Sequence, residues 1–330
     1  MKPSTAAQIV IGAVRDNPGM SSRGLSALLY SRDPLLWPSD TACRDMVRRY
    51  RGLRPGPGNA KHKPDGTTYT NKQGYIPLPK PIVGLASKWP PVQVEFNTAL
   101  VICDIHFPFH DDSLEVALAE GKRRGVDAII INGDMLDFYS LSFFDRDVSI
   151  TKLVDEREQG EAFLEHLRGR FPKAQLIYKE GNHEERLWRY MIRKCVELKD
   201  LPELSLAGLL HTNNYGVQMV TDKRPIKAGP HLQLLHGHEF RSPMTNPVNP
   251  ARGLYLRTKC NSLCGDMHQT SQHTEAGLAS TVSTWSVGCL CQLHPAYMPL
   301  NKWNHGFAFI HLHGDEWRVE NLKVINGAVV

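Results

Sequence analysis

The sequence predicts a layered α/β domain preceded by a small basic helical module, and three observations carry that expectation. From residue 97 onward, apolar strand-like runs alternate with segments of helical period, as in layered α/β domains. Polar residues able to do chemistry sit where those runs end, the place where such sheets collect ligands. Charge is split: residues 1–90 hold 14 Lys+Arg against 5 Asp+Glu, whereas the rest hold 25 against 29. That asymmetry points to a basic module with a polyanionic partner, joined to a near-neutral one.

Composition limits the alternatives. At 330 residues, 41% hydrophobic and 22% charged, the chain has room for about two domains and is not disordered, collagenous or coiled-coil. No window of ~18 uncharged apolar residues predicts a membrane helix, so no membrane partner is expected. The apolar patch before Arg15 and Asp16 is too short for a signal peptide. Seven cysteines, an odd number without CxxC spacing, argue against a disulfide framework or zinc ribbon and for a reducing, cytoplasmic compartment.

Taken in order, residues 1–52 read as three short helices. Ala6 to Val14 carries Ile9, Ile11 and Val14 at helical spacing and stops at Asn17-Pro18-Gly19. Ser22 to Tyr30 would face Leu25, Leu28 and Leu29 inward. A third helix starts at Ser39 as N-cap, with Cys43, Met46 and Val47 on one side. Its other faces carry Arg44, Arg48, Arg49 and Arg51, as in a helix-turn-helix module whose last helix enters the major groove. A basic but merely solvated face is the plainer reading. Residues 53–96, rich in Pro, Gly and Lys, read as a linker, with Lys61, Lys63 and Lys72 available to nucleic acid. Residues 97–330 form the third segment. Its strands are TALVICDIH, DAIIINGD and AQLIYKEGNHE, separated by helices over EVALAEGKRRG and 152–170. HLQLLHGH, TVSTWSVGCLCQL and the hairpin GFAFIHLH/EWRVENLKVI, turned at Gly314-Asp315, follow.

The ends of these runs supply D-x-H (Asp104, His106), G-D-x-x-D (Asp134, Asp137), G-N-H-E (Asn182, His183), a run ending in His236-Gly237, and G-D-M-H (Asp266, His268). Any one of them is an ordinary loop motif. Together they would bring carboxylates and imidazoles to one crevice, and close carboxylates stay ionised together most easily by binding cations. Mixed Asp, His and Asn donors suit Mn, Fe, Zn or Ni better than Ca.

This ordered set resembles the calcineurin-like metallophosphoesterase superfamily, whose usual order is DxH, GDxxD, GNH(D/E), H and GHxH. The resemblance covers about residues 98–313 and implies a β-sandwich flanked by helices. It implies two divalent metal ions, with Mn favoured and Fe, Zn or Ni as alternatives. Asp104, His106 and His268 would hold one, Asn182 and His236 the other, and Asp134 would bridge them. His183 would protonate the leaving oxygen, and Asp137 would orient it. Hydroxide bridging two cations ~3.5–4 Å apart would attack phosphorus in line.

One departure is Asp266, where the family carries a histidine. It either ligates the second metal, favouring harder ions such as Mn, or only touches a ligand. A competing alignment makes His236-Gly237-His238 the terminal motif. Protein phosphatases of the superfamily carry GDxVDRG, but Phe138 stands in that arginine position. Phe138 and Tyr139 could stack on a base or pack beneath the loop, and Arg186 could replace the phosphate-gripping arginine or belong to a helix's polar face.

The run GCLCQLHPAYMPLNKWNHGFAF is similar to the closing segments of phosphoesterases encoded by phages and prophages, which implies a bacterial or phage-infected cell. The expected function is a phosphodiesterase or nuclease acting on DNA or RNA. The alternatives are a phosphomonoesterase or cyclic-nucleotide phosphodiesterase, and a catalytically weak DNA-binding protein.

Overall fold

The computed structural model describes residues 4–53, 89–144, 147, 149–240, 248–278 and 280–330. The chain divides into two compact units, residues 1–86 and 87–330.

The first unit contains helices α1 (Thr5–Asp16), α2 (Ser22–Arg32) and α3 (Asp40–Tyr50). A serine caps each one. Ser4, Ser21 and Ser39 accept hydrogen bonds from the amides of Ala7, Gly24 and Ala42, satisfying donors that a helix start leaves free. Val10, Val14, Leu25, Leu29, Trp37, Cys43 and Val47 form the core. The α1 stripe is Ala7, Val10 and Val14, while Ile9 is exposed. Two residues of helix turn about 200°, so Ile9 cannot share a face with Ala7. Arg44, Arg48 and Arg49 project from α3 into solvent. Arg51 does not: it donates to the Asn17 carbonyl at 3.0 Å and the Ser22 hydroxyl at 3.4 Å. It ties the end of α3 to the α1–α2 turn.

The second unit begins before residue 97. Residues 54–88, with Lys61, Lys63 and Lys72, lie outside the described residues. Val92–Val94, read from sequence as linker, is a strand (β1) paired in parallel with β6 (Ile226–Ala228). It is only three residues long and follows Pro90-Pro91, so it carries no readable period.

Two sheets face each other. One has seven strands in the order β13-β12-β11-β2-β3-β4-β5. These are β2 (Thr98–Ile102), β3 (Ala128–Asn132), β4 (Gln175–Lys179), β5 (Val217–Val220), β11 (Gly306–His313), β12 (Glu316–Ile325) and β13 (Ala328–Val329). Strands β2 to β5 run parallel. The other sheet has the order β1-β6-β7-β8-β10-β9, with β7 (Leu232–Leu234), β8 (Ser262–Cys264), β9 (Ser271–Ala276) and β10 (Thr281–Ser286). Strand alternation decides what packs where. Leu100, Ile102, Ile129, Ile131, Leu176, Tyr178, Phe307 and Phe309 pack against helix residues such as Leu114, Leu118, Phe163, Leu164 and Leu187. These come from α4 (Ser113–Arg124), α5 (Leu153–Arg170) and α6 (Glu185–Lys194). The intervening Ala99, Val101, Ala128, Ile130, Ile177, Ala308 and Ile310 meet Leu232, Leu234, Leu263 and Trp285 of the second sheet. Each fully buried Leu, Ile or Val contributes about 1.5–3 kcal/mol. Both faces of the central strands are therefore committed, which fixes where their ends emerge. Among the described residues, no helix is long and apolar enough to cross a membrane.

Candidate metal centre and active site

Five strand ends converge. The loop after β2 delivers Asp104 and His106, that after β3 Asp134 and Asp137, and that after β4 Asn182 and His183. Strands β7 and β8 deliver His236, Asp266 and His268. The backbone is bent to do this: Asp104, His106, Asp134, Asp266 and His268 all lie in the left-handed region, φ 51–54°. Such residues cost roughly 1–3 kcal/mol each and persist only where surroundings over-determine them. Here the amides of Ile105 and His106 both donate to the Asp134 carbonyl. Gly181 is required for a related reason, because a Cβ there would strike the Asp134 carboxylate.

Asp134 lies at the middle. Its Oδ2 is 3.3 Å from His236 Nε2, 3.7 Å from His183 Nε2 and 3.8 Å from His106 Nε2. On one side, His268 Nε2 is 3.2 Å from Asp104 Oδ1 and 3.3 Å from His106 Nε2. On the other, His236 Nε2 is 3.1 Å from Asn182 Oδ1 and 3.5 Å from Asp266 Oδ1. All seven residues expected to hold metal are thus brought together, and Asp266 falls on the Asn182/His236 side. His238 does not belong to this group. Its Nε2 pairs with Glu185 at 3.0 Å, which disfavours the alignment that ends on His238.

The donor set fits divalent cations. The Asp104 carboxylate is fully buried, its Oδ1 meets only the His268 imidazole at 3.2 Å and its Oδ2 has no hydrogen-bond partner, an arrangement that is costly unless a cation meets it. Donor atoms of Asp104, Asp134 and His236 lie within 4.8 Å of one another, as do those of His106, His268 and Cys291. Burial opposes ionisation of Asp134, yet the His236 and His183 charges hold its carboxyl well below the usual range. Burial also opposes ionisation of Asp104, which His268 pulls below its ordinary value. Burial lowers His183, but Asp134 and Asp137 outweigh it and raise its pKa.

Asp137 serves two histidines. Its Oδ1 is 3.0 Å from both His106 Nδ1 and His183 Nδ1, and its backbone carbonyl accepts from His183 Nδ1 at 2.8 Å. The second nitrogen of His183 therefore faces the centre. Arg186 reaches the same place, with Nη1 donating to the Asp137 carbonyl at 2.9 Å and Nη2 3.0 Å from His183 Nε2. Phe138 does not: it is buried within the helix-side core, so it cannot stack on a base. An apolar ring between a deeply placed Asp137 and the core has nowhere else to go.

Several supporting residues have no role assigned to them by the motifs alone. Glu184, the last letter of GNHE, accepts from the amides of Asp134, Leu136 and Gly181 and from the Tyr178 hydroxyl, locking two motif loops together. Glu239 accepts from the amides of His236 and Gly237 and pairs with fully buried Lys179 at 2.9 Å. Burial opposes its ionisation, but Lys179 brings its pKa down to about 2. Lys179→Met would leave that carboxylate buried and unpaired, so a loss of roughly 3–5 kcal/mol is expected in denaturant unfolding. Cys291 Sγ lies 3.9 Å from His268 Nδ1. Trp303 packs on the His268 ring at 4.1 Å, and the exposed Tyr297 meets Trp303 edge-on. The GC…Y…W signature was the one sequence hint of that wall.

Residues 98–261 match the family model of the calcineurin-like phosphoesterases. A Vps29 single mutant from Entamoeba histolytica is 13% identical over 71% of this chain and 96% of its own, with a TM-score of 0.39. Vacuolar protein sorting 29 from Cryptosporidium parvum is 12% identical over 72% and 96%, TM-score 0.38. YfcE, a phosphoesterase from E. coli, is 15% identical over 64% and 87%, TM-score 0.33. No curated protein matches the chain. With its family match running from the first strand of the parallel sheet through the loops that carry Asp104, Asp134, Asn182 and His236, the chain belongs to the calcineurin-like phosphoesterases, metal-dependent hydrolases of phosphoric esters.

Proposed function

We propose that the protein is a phosphodiesterase that cleaves DNA or RNA. Asp104, His106 and His268 would hold one divalent cation, and Asn182, His236 and Asp266 the other, with the Asp134 carboxylate between them. Mn suits this oxygen-rich set best, with Fe, Zn or Ni as alternatives. When bound, the cations would supply Lewis acidity towards phosphoryl oxygens and water. His183 donates a proton to the leaving oxygen from Nε2, while the Asp137 carbonyl, 2.8 Å from Nδ1, holds the ring in place. Arg186 neutralises charge on the phosphate. The free cysteines, including buried Cys43, Cys103, Cys264, Cys289 and Cys291, support a reducing cytoplasm.

The observation that carries the nucleic-acid reading is the exposed Arg44, Arg48 and Arg49 face of α3, opposite buried Cys43 and Val47. Replacing Arg48 and Arg49 with Ala is expected to weaken DNA or RNA binding in a salt-dependent way, flattening the log–log salt slope by one or two. Hydrolysis of bis-p-nitrophenyl phosphate should be unchanged. Unaltered nucleic-acid affinity would remove the module's assigned role. A phosphomonoesterase is the second reading, favoured by Arg186: its Nη2 beside His183 Nε2 could grip the terminal oxygens of a monoester.

A further inference from the structure

We propose that α6 forms a track for single-stranded nucleic acid leading away from the metal centre, an inference that rests on the nuclease reading. The helix starts two residues after His183 and presents its arginines at positions 186, 189 and 193. With 3.6 residues per turn these fall within about 60° of one another. They form a ridge beginning at Arg186, whose Nη2 is 3.0 Å from His183 Nε2. The ridge climbs about 10 Å over seven residues, against an axial rise of about 3.4 Å per nucleotide along a stacked strand. It can therefore follow about three consecutive nucleotides. Leu187 and Met191 take the buried face, so Arg189 and Arg193 stand clear of the core, while Arg186 is held at the centre by the Asp137 carbonyl.

Beside the ridge lie aromatics with no packing reason to be exposed. Trp188, on the helix itself, is 58% exposed. Half-exposed Phe143 sits under the Arg193 guanidinium, 4.0 Å from ring centre to Cζ. Arginines interleaved with accessible rings are the pattern that single strands bind, phosphates along the charges and bases on the rings. A duplex keeps its bases stacked and would leave the rings unused. Two ridge arginines have carboxylate neighbours: Arg186 Nη1 lies 3.7 Å from Asp137 Oδ2, and Arg189 pairs with Glu185, which Lys223 and His238 also meet. Three arginines against two shared carboxylates, with Lys223 beside them, leave the ridge net positive. A protein partner could also use Trp and Arg, but it would have no need of a ridge that starts at the reacting centre.

The test uses the full Mn²⁺-loaded chain with fluorescein-labelled oligo-dT and oligo-U, comparing wild type with Trp188→Ala and with Arg189→Gln/Arg193→Gln. Removing one stacking ring should raise Kd and KM for the oligonucleotides by about 5- to 150-fold, corresponding to about 1–3 kcal/mol per base. The arginine pair should reduce the salt slope by about 1.4. Both variants should hydrolyse bis-p-nitrophenyl phosphate as wild type does, which also reports that they fold. Oligonucleotide affinity and cleavage equal to wild type in both variants would overturn the track and leave the nuclease reading standing. A wild type that turns over the aryl diester but neither binds nor cleaves any oligonucleotide would overturn both.

Discussion

Asp134→Asn is expected to abolish hydrolysis, with a loss no smaller than the roughly 10²–10³-fold that one missing transition-state contact costs, and to lower bound cation at both positions. The Asp134 carboxylate faces both halves of the centre, 3.3 Å from His236 and 3.8 Å from His106. Its other oxygen accepts from the His183 amide at 2.9 Å. Asparagine keeps that amide contact through its carbonyl oxygen but brings a neutral NH₂ where two cations need negative charge. The fold is thus expected to survive while the site fails. Metal content by atomic emission, read beside circular dichroism, separates the two. Two cations per chain and undiminished turnover would remove Asp134 from its central place.

His183→Asn should lower kcat by about 10²–10⁴-fold, the usual contribution of a positioned proton donor, with cation content unchanged. His183 is anchored through Nδ1 to the Asp137 carbonyl, which leaves Nε2 facing Asp134 and Arg186. Burial lowers its pKa, and the Asp134 and Asp137 charges raise it further than burial lowers it. A raised pKa keeps the donating form present to higher pH, so wild-type kcat should fall as pH rises through that value. The variant should lack this alkaline limb. An unchanged pH profile with full kcat would show that the leaving oxygen takes its proton elsewhere.

The sequence made the centre legible because strands are buried on both faces. Runs such as Ala128–Asn132 have no polar freedom until they end, so the first polar residues after them mark one edge of the sheet. Asp104, Asp134, Asn182 and His236 could be found in this way, and Ser39 could be found because capping is local. What escaped notice depends on contacts between distant parts of the chain. Lys179 and Glu239 are 60 residues apart and ordinary in composition, yet they form a buried pair that holds the His236 loop. Arg51 directly follows a helix with three solvated arginines, and only the position of Asn17 tells it apart. Phe138 could face water or the core in sequence terms, and the depth of its loop decides for the core. The polar strand Ser271–Ala276 exists because β10 pairs with it, not because its own residues favour a strand.

The most direct measurement is a side-by-side assay with Mn²⁺ of bis-p-nitrophenyl phosphate, p-nitrophenyl phosphate, and labelled single- and double-stranded DNA and RNA, with His183→Asn as control. Metal-dependent cleavage of the diester and of nucleic acid, lost in the control, is the expected result. Turnover of the monoester alone, or nucleic-acid cleavage that persists without His183, would contradict a phosphodiesterase centre built on this histidine.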